Sequence, residues 1–126
     1  MVRRKETKAK VLIVLLLLAA AALSAYRVAT QRVDVIYFRS NGCIMVNRSD
    51  AVVEEVSREF GGRVSVTTVE VSLDEDVENS EVTTRMMERY GIHGVPTILV
   101  NGVGSGVDDV KINICRNFII RPGACG

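Results

Sequence analysis

The stretch Tyr90-Gly91-Ile92-His93-Gly94-Val95-Pro96-Thr97-Ile98-Leu99-Val100-Asn101-Gly102 decides the fold. Gly91 follows a helix-like run over residues 80–90 and supplies its left-handed stop. Pro96 then opens an apolar, β-branched run. A proline cannot donate to a sheet ladder, so it belongs at the first residue of a strand. Residues 97–100 therefore read as a strand, and Asn101-Gly102 is a strong hairpin signal. The glycine-rich residues 103–107 beyond it predict a short further strand.

A second segment upstream has the same punctuated character. Val33-Asp34-Val35-Ile36-Tyr37-Phe38 is β-branched and aromatic, the composition of a buried strand, and it ends in Arg39-Ser40-Asn41-Gly42-Cys43. A helix is predicted over residues 44–60, with Val46, Val52, Val53, Val56 and Phe60 on its apolar side and Gly61-Gly62 as its stop. Residues 64–71 alternate and read as a second strand. The acidic residues 74–78 lack the ligand spacing and turn glycine of a calcium loop and read as a solvated entry to the next helix. That helix, over 80–90, has its cap at Asn79 or Ser80. A last amphipathic helix is predicted over 108–119. The order β-α-β-α-β-β-α describes an α/β layer on a mixed sheet.

Cys43 stands out by position. Between a strand end and a helix start, the helix dipole and free backbone N–H groups favour a thiolate. A turn after Asn41-Gly42 is a poor place for a buried structural cysteine. The residue three positions later, where a second thiol would complete a dithiol pair, is Val46.

Taken together, Phe38, Ser40 and Cys43 upstream and Tyr90, Gly91, Val95, Pro96 and Thr97 downstream resemble the thioredoxin superfamily over residues 33–119. The resemblance implies a thioredoxin-like fold, with a mixed central sheet flanked by helices. It also implies a cis peptide bond at Pro96 facing the redox cysteine, and contact between substrate backbone and Val95. In that arrangement a protonated His93, three residues before Pro96, would favour the Cys43 thiolate. The chain departs from the family's CxxC at Val46 and lacks the aromatic residue common before the first cysteine. What survives is monothiol chemistry: exchange with a partner disulfide, capture of a partner as a mixed disulfide, or sulfenic acid formation resolved from outside. A thioredoxin-fold module that grips an extended peptide without turnover is the alternative, and turnover as an enzyme is left open.

Two cysteines remain, Cys115 and Cys125. A Pro122-Gly123 turn after the last helix allows them to form a structural bridge; alternatively, Cys125 reaches Cys43 as its resolving thiol. Met45, Met86 and Met87 with Cys43 and His93 are soft donors of the kind that select copper. Met86 and Met87 fall on a helix where core packing is the simpler role, so neither metal nor cofactor is expected.

Hydrophobic residues make up 48% of the chain, and the excess lies at one end. Residues 11–26 (VLIVLLLLAAAALSAY) carry no charge and follow Arg3, Arg4, Lys5, Lys8 and Lys10. A basic leader before an apolar run marks a secretory signal or a membrane anchor. The run is longer than most signal cores, which favours an uncleaved anchor, although Ala20-Ala21-Ala22 and Ser24-Ala25 offer cleavage sites. The expected organisation is a cytoplasmic leader (1–10), a transmembrane or signal segment (11–26), a linker (27–32) and an extracytoplasmic domain (33–126), secreted if the leader is cut. Five of the 16 Lys+Arg and one of the 15 Asp+Glu lie in the leader, leaving 11 against 14, a net of −3. That balance gives no electrostatic case for nucleic acid. The expected partners are extracytoplasmic protein thiols or disulfides, together with the membrane itself.

Overall fold

Helix α1 (Val2–Ala29) takes in the basic leader and the apolar run without a break. The structure, a computed structural model, describes residues 2–126. It divides into a segment ending at Gln31 and a unit Arg32–Gly126, described separately. At about 1.5 Å per residue α1 is about 42 Å long, more than a hydrocarbon core of about 30 Å. Among the described residues it is the one helix long and apolar enough to cross a membrane, a property it shares with signal sequences. Leu12 to Leu18 are all more than half exposed. The helix runs on into the connection expected over 27–32, because nothing in Arg27-Val28-Ala29 stops it.

The second unit is a mixed four-stranded sheet flanked by helices. Strand β1 (Val33–Arg39) leads to α2 (Val46–Phe60), β2 (Val64–Glu70), α3 (Glu81–Tyr90), β3 (Thr97–Val100), β4 (Val103–Ser105) and α4 (Val110–Arg116). The sheet order is β2-β1-β3-β4. β1 pairs in parallel with β2 (Val33 opposite Val64) and antiparallel with β3 (Phe38 opposite Thr97), and β3 pairs antiparallel with β4.

Alternation along β1 builds two cores. Val33, Val35 and Tyr37 face Val53, Val56 and Phe60 of α2 and Val110 and Ile114 of α4. Phe38 faces the other way, with Val69, Val71, Leu99 and Ile92, where Met86, Met87 and Tyr90 of α3 close the layer. Phe118 stacks on Phe60 with centroids 6.3 Å apart, and the Arg63 guanidinium lies 5.0 Å over its ring.

Local chemistry sets several boundaries. The Ser80 hydroxyl accepts from the Thr83 N–H and caps α3. At its other end Gly91 adopts φ 64°, its N–H bonds to the Glu88 carbonyl, and the Ile92 N–H bonds to the Met87 carbonyl at 2.8 Å. This is a Schellman closure, with Ile92 and Met87 in the same apolar cluster. Asn101 (φ 48°) and Gly102 (φ 80°) make the β3–β4 turn, both left-handed as a type I′ hairpin requires.

Two boundaries differ from those predicted. α2 starts at Val46, two residues later than the apolar pattern suggests, because the chain first makes a turn held by Ser40 and Cys43. The short fourth strand lies inside the glycine-rich segment expected to contain it, and after Ser105 the chain turns at Gly106 into a 3-10 segment, Val107–Asp109. α4 proper covers only Val110–Arg116, and the chain beyond it is tied back through Cys125.

Two isoleucines on α4 give a direct check of this packing. Ile114 is fully buried and Ile112 is half exposed. Ile114→Ala should destabilise the 32–126 unit by about 2–5 kcal/mol, whereas Ile112→Ala should stay within about 0.5 kcal/mol. Urea denaturation followed by far-UV circular dichroism measures both.

Candidate thiol site

The end of β1 delivers Cys43 through a tight turn. The Cys43 N–H donates to the Ser40 carbonyl at 3.4 Å, and its own carbonyl accepts from the Val46 N–H at 3.2 Å. Cys43 is partly exposed and unpaired. The sequence reading put it at the helix start, but α2 begins three residues later, with Met45 as an N-cap that offers no side-chain acceptor. One of the helix's leading N–H groups is thus spent on the Cys43 carbonyl. Ile44 and Met45, between thiol and helix, are 91% and 71% exposed, while Val46 is 2% exposed.

Cys115 and Cys125 are joined by a disulfide, Cα–Cα 5.8 Å. With both sulfurs so engaged, Cys43 is the one free thiol of the three cysteines. Cys115, Ala124 and Cys125 pack against the α2–α4 core, so the bridge fastens the C-terminal tail to that layer.

Pro96 lies at the same end of the sheet. The register that sets Phe38 opposite Thr97 carries Pro96 one position further, level with Arg39 and the start of the thiol turn. The Val95–Pro96 peptide bond is cis. The Thr97 hydroxyl donates to the Gly94 carbonyl at 2.6 Å, closing the loop behind the proline. Val95 and Pro96 are half-buried, and His93 is exposed on the same loop. Of the soft donors considered for copper, Met86 and Met87 pack into the α3 core and Met45 points to solvent.

The sequence reading missed the network beneath the turn. Arg39, the last residue of β1, makes a bidentate pair with Asp50 of α2, Nε to Oδ1 and Nη2 to Oδ2, both 3.0 Å. Its Nη1 donates to Asn41 Oδ1 at 2.9 Å and to Glu70 of β2. The Tyr37 hydroxyl donates to Asp50 Oδ1 at 2.7 Å. One guanidinium therefore ties β1, α2, β2 and the thiol turn. Its planar fork matches carboxylate geometry in a way a lysine would not. A signal was present: Asp50 interrupts the side of α2 that carries Val46, Ser49 and Val53, all buried.

The network shifts its own titrations. The hydrogen bonds from Arg39, helped by Tyr37, hold the Asp50 carboxyl below its usual range against the opposing effect of burial. Hydrogen bonds to Asp50 and Glu70 raise the Arg39 guanidinium further. Burial, then the Asp50 hydrogen bond, pushes the Tyr37 phenol up to about 12.

No protein-family model matches the chain, and none of the curated proteins does. Solved structures do. A point mutant of a thioredoxin from Halobacterium salinarum superposes with a TM-score of 0.52 at 19% identity, covering 73% of this chain and 80% of its own. A structure described as a malarial protein gives 0.51 at 14% identity, covering 71% of this chain and all of the other. At such identities the likeness is one of fold.

The shifted groups predict both ends of the pH–stability curve. Asp50 has a lowered folded value, so its contribution is complete above the unfolded value of about 3.9 and is lost as pH falls through the folded one. Asp50→Asn should therefore flatten the acid limb. Tyr37 has a raised value, so its contribution is complete below about pH 10 and is lost as pH rises towards 12. Tyr37→Phe should remove that alkaline loss. Denaturation midpoints at intervals of about one pH unit test both.

Proposed function

We propose that the chain is a membrane-anchored thioredoxin-like protein whose domain lies outside the cytoplasm and works through the single thiol of Cys43. The observation that carries this reading is the allocation of the cysteines. Cys115 and Cys125 bind each other, and the one left over sits partly exposed at the sheet end that Pro96 occupies. The basic residues before the apolar run of α1 support a cytoplasmic N-terminus.

In the proposed reaction the Cys43 thiolate attacks one sulfur of a partner disulfide. A Cys43–partner S–S bond forms as the partner's own bond breaks, and the departing sulfur leaves as a thiolate and takes up a proton. Val46 stands where an internal resolving thiol would be, so release needs a thiol from the partner or from a third molecule. The half-buried Val95–Pro96 segment is assigned to the partner's backbone. His93, exposed on that loop, is assigned to favouring the Cys43 thiolate that makes the attack. The exposed Ile44–Met45 pair supports a second reading, a peptide-gripping module that does not turn over. Cys43→Ser separates the two, abolishing the cellular role under the first and sparing it under the second.

Two measurements test the thiol. Iodoacetamide should modify Cys43 of the intact chain at neutral pH at least about tenfold faster than it modifies an ordinary free thiol; equal rates would count heavily against the reading. In Val46→Cys, the 43–46 turn brings the α-carbons within about 7 Å, the outer range of a disulfide. That variant should close an internal bridge and lose most mixed-disulfide adducts on non-reducing gels. Undiminished adducts would contradict the proposed role of Val46.

A further inference from the structure

A groove of about 820 Å³ runs along the outer edge of β2 and ends at Ser40, Asn41 and Gly42, next to the thiol turn. Thr67, Thr68, Val69, Glu70 and Val71 line it in unbroken succession. Their side chains alternate between the two faces of the sheet, so what they share towards the groove is the strand's backbone edge. β2 is the end strand of the sheet. The Val71 N–H donates to the Arg39 carbonyl at 2.7 Å, so alternate residues from Val71 backwards turn their amides towards β1. The N–H and C=O groups of Val66, Thr68 and Glu70 consequently point outwards, the arrangement to which an extended segment adds as a new strand.

The opposite wall is built and held. The Ser72 N–H donates to Asn79 Oδ1 at 2.7 Å, and Asn79 Nδ2 donates back to the Ser72 carbonyl at 3.4 Å, clipping the loop between β2 and α3. Leu73 and Val82 present exposed apolar side chains along this wall. The groove's charge has one sign: Glu70, Asp74 and Glu78 line it, and no Lys, Arg or His does. Glu70 shares the Arg39 guanidinium with Asp50, while Asp74 and Glu78 form no ion pair among the described residues. A second copy paired edge to edge would bring these carboxylates against each other. A strand carrying lysine or arginine at alternate positions would neutralise them and set its intervening apolar side chains on Leu73 and Val82.

We infer that the β2 edge is a docking site for an extended, cationic segment of a partner protein, which adds as a fifth strand and points along the groove towards Cys43. Delivery of that segment's cysteine to Cys43 rests on the thiol reading above; the docking itself does not.

The test is fluorescence anisotropy of the intact chain in non-ionic micelles with a labelled heptapeptide, Lys-Val-Lys-Thr-Lys-Val-Lys. Binding should weaken at least about tenfold in Asp74→Asn/Glu78→Gln, whose positions are on the surface, and again when salt rises from about 0.05 to about 0.5 M. N-methylation at alternate peptide residues should cost a similar factor, because it removes the edge hydrogen bonds. Cys43→Ser should bind as the parent chain does, which separates failure of the docking site from failure of the thiol. Absence of binding, equal binding of a peptide with glutamate for lysine, indifference to N-methylation, or loss of binding in Cys43→Ser would each overturn the inference.

Discussion

Strand β1 must satisfy two cores at once, and the rest of the domain is arranged around that constraint. Val33, Val35 and Tyr37 are at most 2% exposed on one face, and Phe38 is fully buried on the other. Hydrogen-bonded neighbours on both sides leave the strand no solvent edge. Burying apolar side chains of this size stabilises by roughly 1.5–3 kcal/mol each, so the position of this strand is fixed more firmly than any loop. Everything reactive hangs from its last residue: Arg39 closes the ladder, reaches Asp50 and Glu70, and hydrogen-bonds Asn41 within the turn that presents Cys43.

Most of the fold was legible because its boundaries are written in local chemistry. Ser80, Gly91 and the Asn101-Gly102 pair each fix a backbone conformation from within a few residues, and the elements they bound fall where the pattern puts them. The start of α2 was not legible for the opposite reason. Ile44 and Met45 continue an apolar pattern, yet both are exposed in a turn closed by the Val46 N–H on the Cys43 carbonyl. The residues leading into it are tied by a hydrogen bond from Arg39 to Asn41, with Arg39 itself anchored on a helix residue eleven positions away. The end of α4 was misplaced similarly, since the amphipathic pattern runs on past Arg116 while the disulfide redirects the chain.

The candidate site divides along the same line. Cys43 and Pro96 announce themselves by residue type: a thiol in a turn and a proline at a strand's first position. Their common location at one end of the sheet follows from the β1–β3 register. The polar support beneath them is long-range and reads in the sequence as unrelated surface charge. Two carboxylates share one guanidinium there, so the cluster keeps an excess negative charge close to the turn, and this acidity continues into the groove along β2.

The β3–β4 turn has a consequence of a different kind. Asn-Gly is the dipeptide whose backbone nitrogen most readily attacks the side-chain amide, turning asparagine into a succinimide and then into aspartate or isoaspartate. Here the Asn101 amide oxygen accepts from the Asp34 N–H at 2.8 Å and its nitrogen donates to Asn117 Oδ1 at 3.0 Å. Bringing the amide carbon onto the Gly102 nitrogen means breaking both bonds, one to β1 and one to the residue that follows α4. The contacts that hold the hairpin against the domain thus also protect it from chemical ageing, a form of durability that suits the extracytoplasmic setting proposed for the domain, beyond the reach of cytoplasmic repair.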